Sequence, residues 1–503
     1  MSDQKRLWLV FGYALALAAA VLFLCSRSSP GYVMNDWCDA NIYLSIGKGM
    51  TRGRVVYRDL YDHKGPLLFM LHAVAALISF RDFFGVYLLE VVQAAFFLFY
   101  SWRILRLYGL RRSVWVLVPL LALAVYASYS FAEGDSAEEM CLPLMTAQLF
   151  LTLRYFYNRQ EGRPMSRGGL IACGVLAGCV FWIKFTIIGL PVGLLLAILL
   201  PFARKGGWKT LWQSLGWMVA GAFVSTVPWL VYFGLNGAIY DWLKVYLGHN
   251  LFLYGTAQSL TLQERLATMV YLIWDWIKHN AQYALLVFAG PAWLSVSRKG
   301  GKGAAWAAWL MLGCGVVTIF IGAKGYLYYG LALAAVAPIG LAAAGALLEP
   351  VLSRFRARWA MPVTGAAFAA GCVVLCLAVS PNVHPESGLG FGAKREDSMQ
   401  FRIVDQMEIN DQTTLLNFGF MDAGFYTAAG IAPSVKYFHQ NNVPLREMKT
   451  EQRRYVEEGL CEYVVTRNPN DTLFARYDQI THVESPQFWY ERVYLYRLKP
   501  EYR

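Results

Sequence analysis

Eleven apolar runs divide residues 1–380 of this chain, at 7–25, 83–102, 114–131, 141–157, 168–183, 185–202, 211–233, 280–296, 304–322, 330–348 and 360–380. About 20 helical residues cross a hydrocarbon core of about 30 Å, where each backbone N–H and C=O must find its partner inside the segment. The runs therefore read as membrane-spanning helices. Across 503 residues, 57% are hydrophobic and only 16% charged, which is the composition of an integral membrane protein. The net charge of +12 does not point to nucleic acid. The cations cluster in short gaps between apolar runs, and no basic domain or nucleic-acid motif accompanies them.

The gaps alternate in character. Arg103, Arg106, Arg111 and Arg112 fill one, and Arg154, Arg159, Arg163 and Arg167 another. Arg204, Lys205 and Lys209 follow, then Arg298, Lys299 and Lys302, then Arg354, Arg356 and Arg358. By the positive-inside rule these gaps are cytoplasmic. The intervening gaps hold acids, most clearly Glu133, Asp135, Glu138 and Glu139. Pro66–Phe80 is also apolar, but it is only about 15 residues long and contains His72, so it reads as re-entrant or interfacial. Counting it as a span would reverse the charge pattern. The first run has no convincing cleavage site and reads as a retained anchor with Lys5 and Arg6 inside. Eleven spans put the amino terminus in the cytoplasm and the carboxyl terminus outside the plasma (inner) membrane.

Composition changes near residue 381. Short strand-like pieces (Thr414–Phe418, Tyr463–Thr466, Val493–Leu498) and an amphipathic piece (Gln452–Gly459) predict a small extracytoplasmic α/β domain over 381–503. Most of the nine cysteines lie in apolar spans as small hydrophobes. Cys38 and Cys141 both fall near the outer boundary, where a disulfide between them is open.

Parity of the spans gathers the unusual residues on one side. The first outer loop holds Asp36, Asp39, Arg58, His63 and Lys64, and the second holds Glu138 and Glu139. Lys184 sits between the fifth and sixth runs. The 234–279 loop offers Asp241, Lys244, His249 and Tyr254, and Lys324, Tyr326, Tyr328 and Tyr329 open the tenth run. A lipid carrier in the outer leaflet presents its phosphate at this depth. Lysine and arginine bind phosphate through charge-assisted hydrogen bonds and stabilise a departing one. A nearby carboxylate can take the proton of an acceptor hydroxyl. Each residue also has a bland alternative. Asp39 could cap the helix-like run that follows it, the lysines could be snorkelling at the interface, Arg58 could pair with Asp59 or Asp62, and Glu138 and Glu139 could be acids at the start of a helix. The carboxylates at 36, 39, 138 and 139 leave room for a divalent metal, although no spacing demands one.

The run Asp39-Ala-Asn-Ile-Tyr43, followed by Gly47, Gly49 and Gly53, then Val56-Tyr57-Arg58-Asp59 and Asp62-His63-Lys64-Gly65-Pro66-Leu67, resembles the first outer loop of GT-C glycosyltransferases. The likeness is to the bacterial branch related to protein O-mannosyltransferases and lipid A aminoarabinose transferases. Glu138-Glu139-Met140-Cys141-Leu142-Pro143 is similar to an element of the second outer loop in that branch. The resemblance covers residues 1–345 or so. It implies a polytopic α-helical GT-C-like fold of about eleven spans with juxtamembrane helices in the first outer loop. It also implies an inverting transferase that moves a sugar from a polyprenyl-phosphate donor to a hydroxyl acceptor without a required cofactor. Asp39 matches the catalytic Asp of the family, and Lys64 the Lys that contacts the donor phosphate. Arg58, His63, Lys184, Lys324 and Tyr328 are the further candidates for the phosphate, and Asp36, Glu138 and Glu139 for a second carboxylate. Two departures stand out: Ala40 where the family has Glu, and Gly65 where it has Pro. The alternatives are a lipid-linked sugar transporter or flippase, which should carry mid-span charges and duplicated halves, and an oligosaccharide polymerase or ligase, which should carry a long outer loop late in the chain.

Overall fold

The computed structural model describes residues 3–158, 163–254, 260–354, 360–386, 388–470, 472–484 and 492–502. Arg159, Arg356 and Arg358 of the basic gaps lie outside these. Each of the eleven apolar runs is built on helix. They correspond to α1 (Asp3–Cys25), α4 (Phe84–Leu107), α5 (Val114–Tyr126), α6 (Ala137–Tyr157), α7 (Arg167–Ile183), α8 (Gly189–Arg204), α9 (Trp208–Leu235), α12 (Ala281–Ser297), α13 (Gly301–Phe320), α14 (Ala337–Leu352) and α15 (Ala360–Val379). A 3₁₀ segment, Leu327–Val336, leads into α14. Among the described residues, seven helical segments are long and apolar enough to cross a membrane. Among these eleven helices the most extensive pairings are α7 with α9, α8 with α13, and α12 with α14.

The first loop folds into two helices that lie against this bundle, α2 (Cys38–Thr51) and α3 (Pro66–Ile78). At 13 residues α3 is about 20 Å long, no longer than α5, so its burial pattern rather than its length sets it apart. It buries His72, Ala75 and Ala76 while Val74, Leu77 and Ile78 stay exposed, the one-sided burial expected of an interfacial helix. Gly47 permits α2 and α3 to touch, because a Cβ there would lie 2.5 Å from the His72 carbonyl carbon. The segment 234–279, read from sequence only as a loop, is mostly helical over its described residues. It contains α10 (Ile239–Trp242), a π-helical stretch Leu243–Tyr254, and α11 (Leu262–His279), which opens with a Thr261/Glu264 capping box. Cys38 and Cys141 are both free thiols, so the disulfide left open by the sequence does not form.

After residue 381 come α16 (Met399–Val404), β1 (Leu415–Phe418), α17 (Phe425–Ala429), α18 (Arg446–Glu458), β2 (Tyr463–Thr466), β3 (Tyr477–Glu484) and β4 (Arg492–Leu498). The sheet order is β1-β2-β4-β3, with β1 parallel to β2 and the other pairs antiparallel. Strand β3 escaped the sequence reading because its residues, YDQITHVE, are polar and mostly exposed at a sheet edge. Helix α18 begins six residues before the expected amphipathic piece.

This tail packs onto the first loop. Gly392 N–H donates to Gly31 O (2.9 Å), Leu389 N–H to Asp36 (3.2 Å), and Ser45 Oγ to Asp422 (2.7 Å). These contacts put the first loop and the tail at the same end of the bundle. At the other end, the backbone of Arg111 and Arg112 donates to Glu349, joining two of the basic gaps.

The tail–loop interface encloses Lys48, which is fully buried. Its Nζ donates to Tyr426 O at 3.4 Å and lies 5.6 Å from the Phe80 ring centre. Burial pulls this ammonium down to about 7, against the opposing pull of Asp422 and Asp82. The folded state then binds fewer protons at this site than the unfolded state between pH 7 and the ordinary lysine value. Its contribution therefore becomes more favourable as pH rises through that window. Wild-type stability should rise from pH 7 to 9 relative to Lys48→Met, by at most about 1.4 kcal/mol per pH unit. Thermal midpoints of the two proteins measured in parallel across that range check this.

Candidate active site

Helix α2 begins after Trp37, whose side chain makes no capping bond. Asp39 sits in the first turn of the helix, not at its cap. Its carboxylate is spent on tertiary partners instead: Oδ2 accepts from Tyr43 OH (3.1 Å) and Tyr328 OH (3.3 Å), and the Lys64 ammonium stands 3.5 Å away. Tyr43 is four residues on, one helical turn along the same face. Among the described residues nothing donates to Oδ1. Asp39 lines a cavity of about 630 Å³.

Lys64 is presented by a loop in which every residue is tied down. Tyr61 N–H donates to Lys436 O (2.9 Å), and its hydroxyl meets His249 Nδ1 (3.0 Å). Lys64 N–H donates to Asp62 Oδ1 (2.8 Å), Asn250 Nδ2 to His63 O (2.6 Å), and Tyr57 OH to Lys64 O (2.7 Å). Gly65 N–H donates to Ile183 O at 3.0 Å, and a Cβ on Gly65 would sit 1.9 Å from Trp182 O. Proline supplies no N–H and carries a Cβ, so the glycine that departs from the family pattern is what this packing requires. The other departure, Ala40, points into a small apolar cluster with Leu44, Ala75, Ala76, Phe83 and Val86. A carboxylate there would be buried without a partner, away from Asp39.

The electrostatics of the loop follow from burial. Asp62 is 1% exposed, and desolvation pushes its carboxyl up to about 6 despite the nearby Lys64. Burial also works against the charge on Lys64, but Asp39 and Asp62 outweigh it and hold the ammonium above its usual range. His63 is held far below the usual imidazole range, first by burial and then by Lys64, Lys184 and Lys324. It is a neutral ring beside three lysines, lying against Tyr254 with centroids 4.7 Å apart. Lys184 lies 3.8 Å from the Tyr329 ring centre and pairs with Glu138, and Lys324 lies 4.0 Å from the Tyr254 ring centre. His63, Lys64, Tyr254, Tyr326 and Tyr328 thus line one cavity with Asp39, while Lys184 and Lys324 stand against the tyrosines and do not line it. The roof of the cavity comes from the tail, through Phe420, Met421, Gln440, Asn441, Asn442 and Arg467.

The other sequence candidates fall elsewhere. Asp36 lines the same cavity but is committed to Arg27 in a buried ion pair and to Leu389 N–H. Arg58 is 41% exposed, grips Asp59 with two 2.8 Å bonds and Asn236 O with a third, and does not line the cavity. Glu138 pairs with Lys184 behind the tyrosines, and its Oε2 is buried without a partner. Glu139 accepts from Asp135 N–H (2.9 Å) in a separate buried group with Glu90 and His72. No group of three or more His, Cys, Asp or Glu able to hold a metal occurs among the described residues. Sequence reasoning gave Tyr43 and Asp62 only as parts of the first-loop motif, with no role in the site, and did not single out Asn441 or Arg467.

Glu138 and Lys184 have side chains 1% and 7% exposed, so removing one partner strands a buried charge. Glu138→Leu should cost about 3–5 kcal/mol, and Glu138→Leu with Lys184→Met should recover most of it. Unfolding midpoints of the single and double variants in detergent check this.

No protein-family model matches the chain, and no curated protein matches it. Among solved structures, the chain is similar to ArnT from Cupriavidus metallidurans bound to undecaprenyl phosphate, with a TM-score of 0.58 and 14% sequence identity over 99% of each chain. It is also similar to the apo state of that protein, with a TM-score of 0.56 and 15% identity over 98% of each chain. The chain therefore shares the fold of that protein over nearly its whole length, tail included.

Proposed function

We propose that this protein is a membrane glycosyltransferase that moves a sugar from a polyprenyl-phosphate carrier to a hydroxyl acceptor at the outer face of the plasma membrane. The observation that carries the reading is the placement of Asp39 and Lys64 side by side on one cavity, with Tyr328 on the same carboxylate oxygen. The shared fold with a protein solved with undecaprenyl phosphate supports a carrier of that class.

In this reading the carrier phosphate docks on Lys64, with Lys184 and Lys324 adding positive charge from behind the tyrosines. Phosphate then competes with Asp39 for the Lys64 ammonium, which frees the carboxylate. Asp39 takes the proton of the acceptor hydroxyl, and the oxygen attacks the anomeric carbon on the face opposite the phosphate. The bond from that carbon to the phosphate oxygen breaks, its electron pair leaves with the polyprenyl phosphate, and the configuration inverts. The lysines stabilise the charge that collects on the leaving group. Neutral His63 lines the pocket without adding to the repulsion among the three ammonium groups. Arg58 and Asp36, engaged elsewhere, take no part.

Asp39→Asn should lower transfer by about 10²- to 10⁴-fold, the usual worth of a positioned base, while undecaprenyl phosphate binding and the thermal midpoint stay near wild type. Lys64→Met should weaken undecaprenyl phosphate binding instead. The assay is release of polyprenyl phosphate from a panel of polyprenyl-phosphate sugars. Near-normal turnover by Asp39→Asn would sink the assignment.

A further inference from the structure

The 61–65 loop is held from two directions. Anchors from the membrane part come from Tyr57, Ile183, His249 and Asn250. The tail contributes the Lys436 carbonyl to Tyr61 N–H, the Tyr437 ring against the Tyr61 ring (centroids 5.3 Å apart), and the Asn441 side chain, whose Nδ2 donates to Asp62 Oδ2 at 2.6 Å. Asn441 is itself oriented: its Oδ1 accepts from Val443 N–H (3.2 Å), which fixes Nδ2 as the end that faces Asp62, and its own N–H meets Met448 Sδ (3.1 Å). The other oxygen of Asp62 accepts the Lys64 N–H (2.8 Å). A single buried carboxylate thus links a tail side chain directly to the backbone of the residue that faces Asp39. Asn441 is 5% exposed and lines the cavity.

We infer that Asn441 is a positioning residue for the phosphate grip, acting through Asp62 on Lys64, and that the tail is thereby a working part of the site. A buried carboxylate needs donors on both oxygens to stay ionised and fixed in place. Lys64 N–H supplies one and Asn441 the other. Without the amide donor Asp62 is free to turn, and the Lys64 backbone loses the acceptor that sets the direction of its side chain. The effect on carrier phosphate rests on the function proposed above; the effect on the loop does not.

Asn441→Asp keeps the size and shape of the side chain but sets a second carboxylate against Asp62. Asn441→Ser, too short to reach Asp62, is the milder variant should that one fold poorly. Either should weaken undecaprenyl phosphate binding about tenfold to a hundredfold, the worth of a hydrogen bond to a buried charge. Either should also speed hydrogen exchange at the Lys64 amide. Asp62→Asn combined with Asn441→Asp swaps the two groups. Asn at 62 can accept from Lys64 N–H and donate to Asp at 441, which still accepts from Val443 N–H, so binding and exchange should return toward wild type. Wild-type binding and exchange in Asn441→Asp or Asn441→Ser would overturn the inference, and so would failure of the swap to restore either. If the wild-type protein itself does not bind undecaprenyl phosphate, the proposed function falls. Amide exchange in the same three variants then decides the positioning role alone.

Discussion

A largely buried lysine and a buried aspartate held 3.5 Å apart are the constraint around which the rest of the structure is arranged. At that separation, with an effective dielectric of about 20, their attraction is on the order of 4 kcal/mol, and desolvating both groups consumes much of it. Such a pair adds little to stability and instead demands that the surroundings keep it in place. Two tyrosine hydroxyls share the Asp39 oxygen, and the loop carrying Lys64 is tied at successive residues to α7, to the π-helical stretch and to the tail. The near-contact at Gly47 and the missing side chain at Gly65 follow from the same requirement, because both let backbones approach closely enough to hold that loop.

The arrangement also sorts the charges of the first loop by what surrounds them. Asp36, three residues from Asp39, is neutralised by Arg27 and shapes the loop–tail junction. Arg58, six residues from Lys64, grips its own neighbour at the surface. Their chemistry matches that of the residues on the cavity; only their partners differ. Burial then sets the character of those that remain. His63 is kept neutral beside three lysines, and Asp62 is driven toward protonation unless donors hold its charge.

Much of the site was legible because it is local. Asp39, His63 and Lys64 lie within one loop whose residues resemble a known motif, and Tyr328 follows Lys324 at the start of an apolar run. Asn441 carried no signal: it lies 379 residues from Asp62 and meets it only when the tail folds back. The reverse case, two neighbours that part company, has the same cause. Glu138 and Glu139 are adjacent in sequence, yet consecutive positions on a helix face different sides, so one meets Lys184 and the other Asp135. Strand β3 was missed because its exposed polar face dilutes the periodicity that reveals buried elements.

Apolar run length and the alternation of charged gaps determined, without any coordinates, that this chain is a bundle of membrane helices whose first loop and tail share one end. Those properties depend on transfer from water to hydrocarbon, which each segment feels by itself. Which carboxylate meets which ammonium was decided only by tertiary structure. A charge–charge contact depends on angstroms between residues that can be hundreds of positions apart, and on whether burial leaves each group a partner.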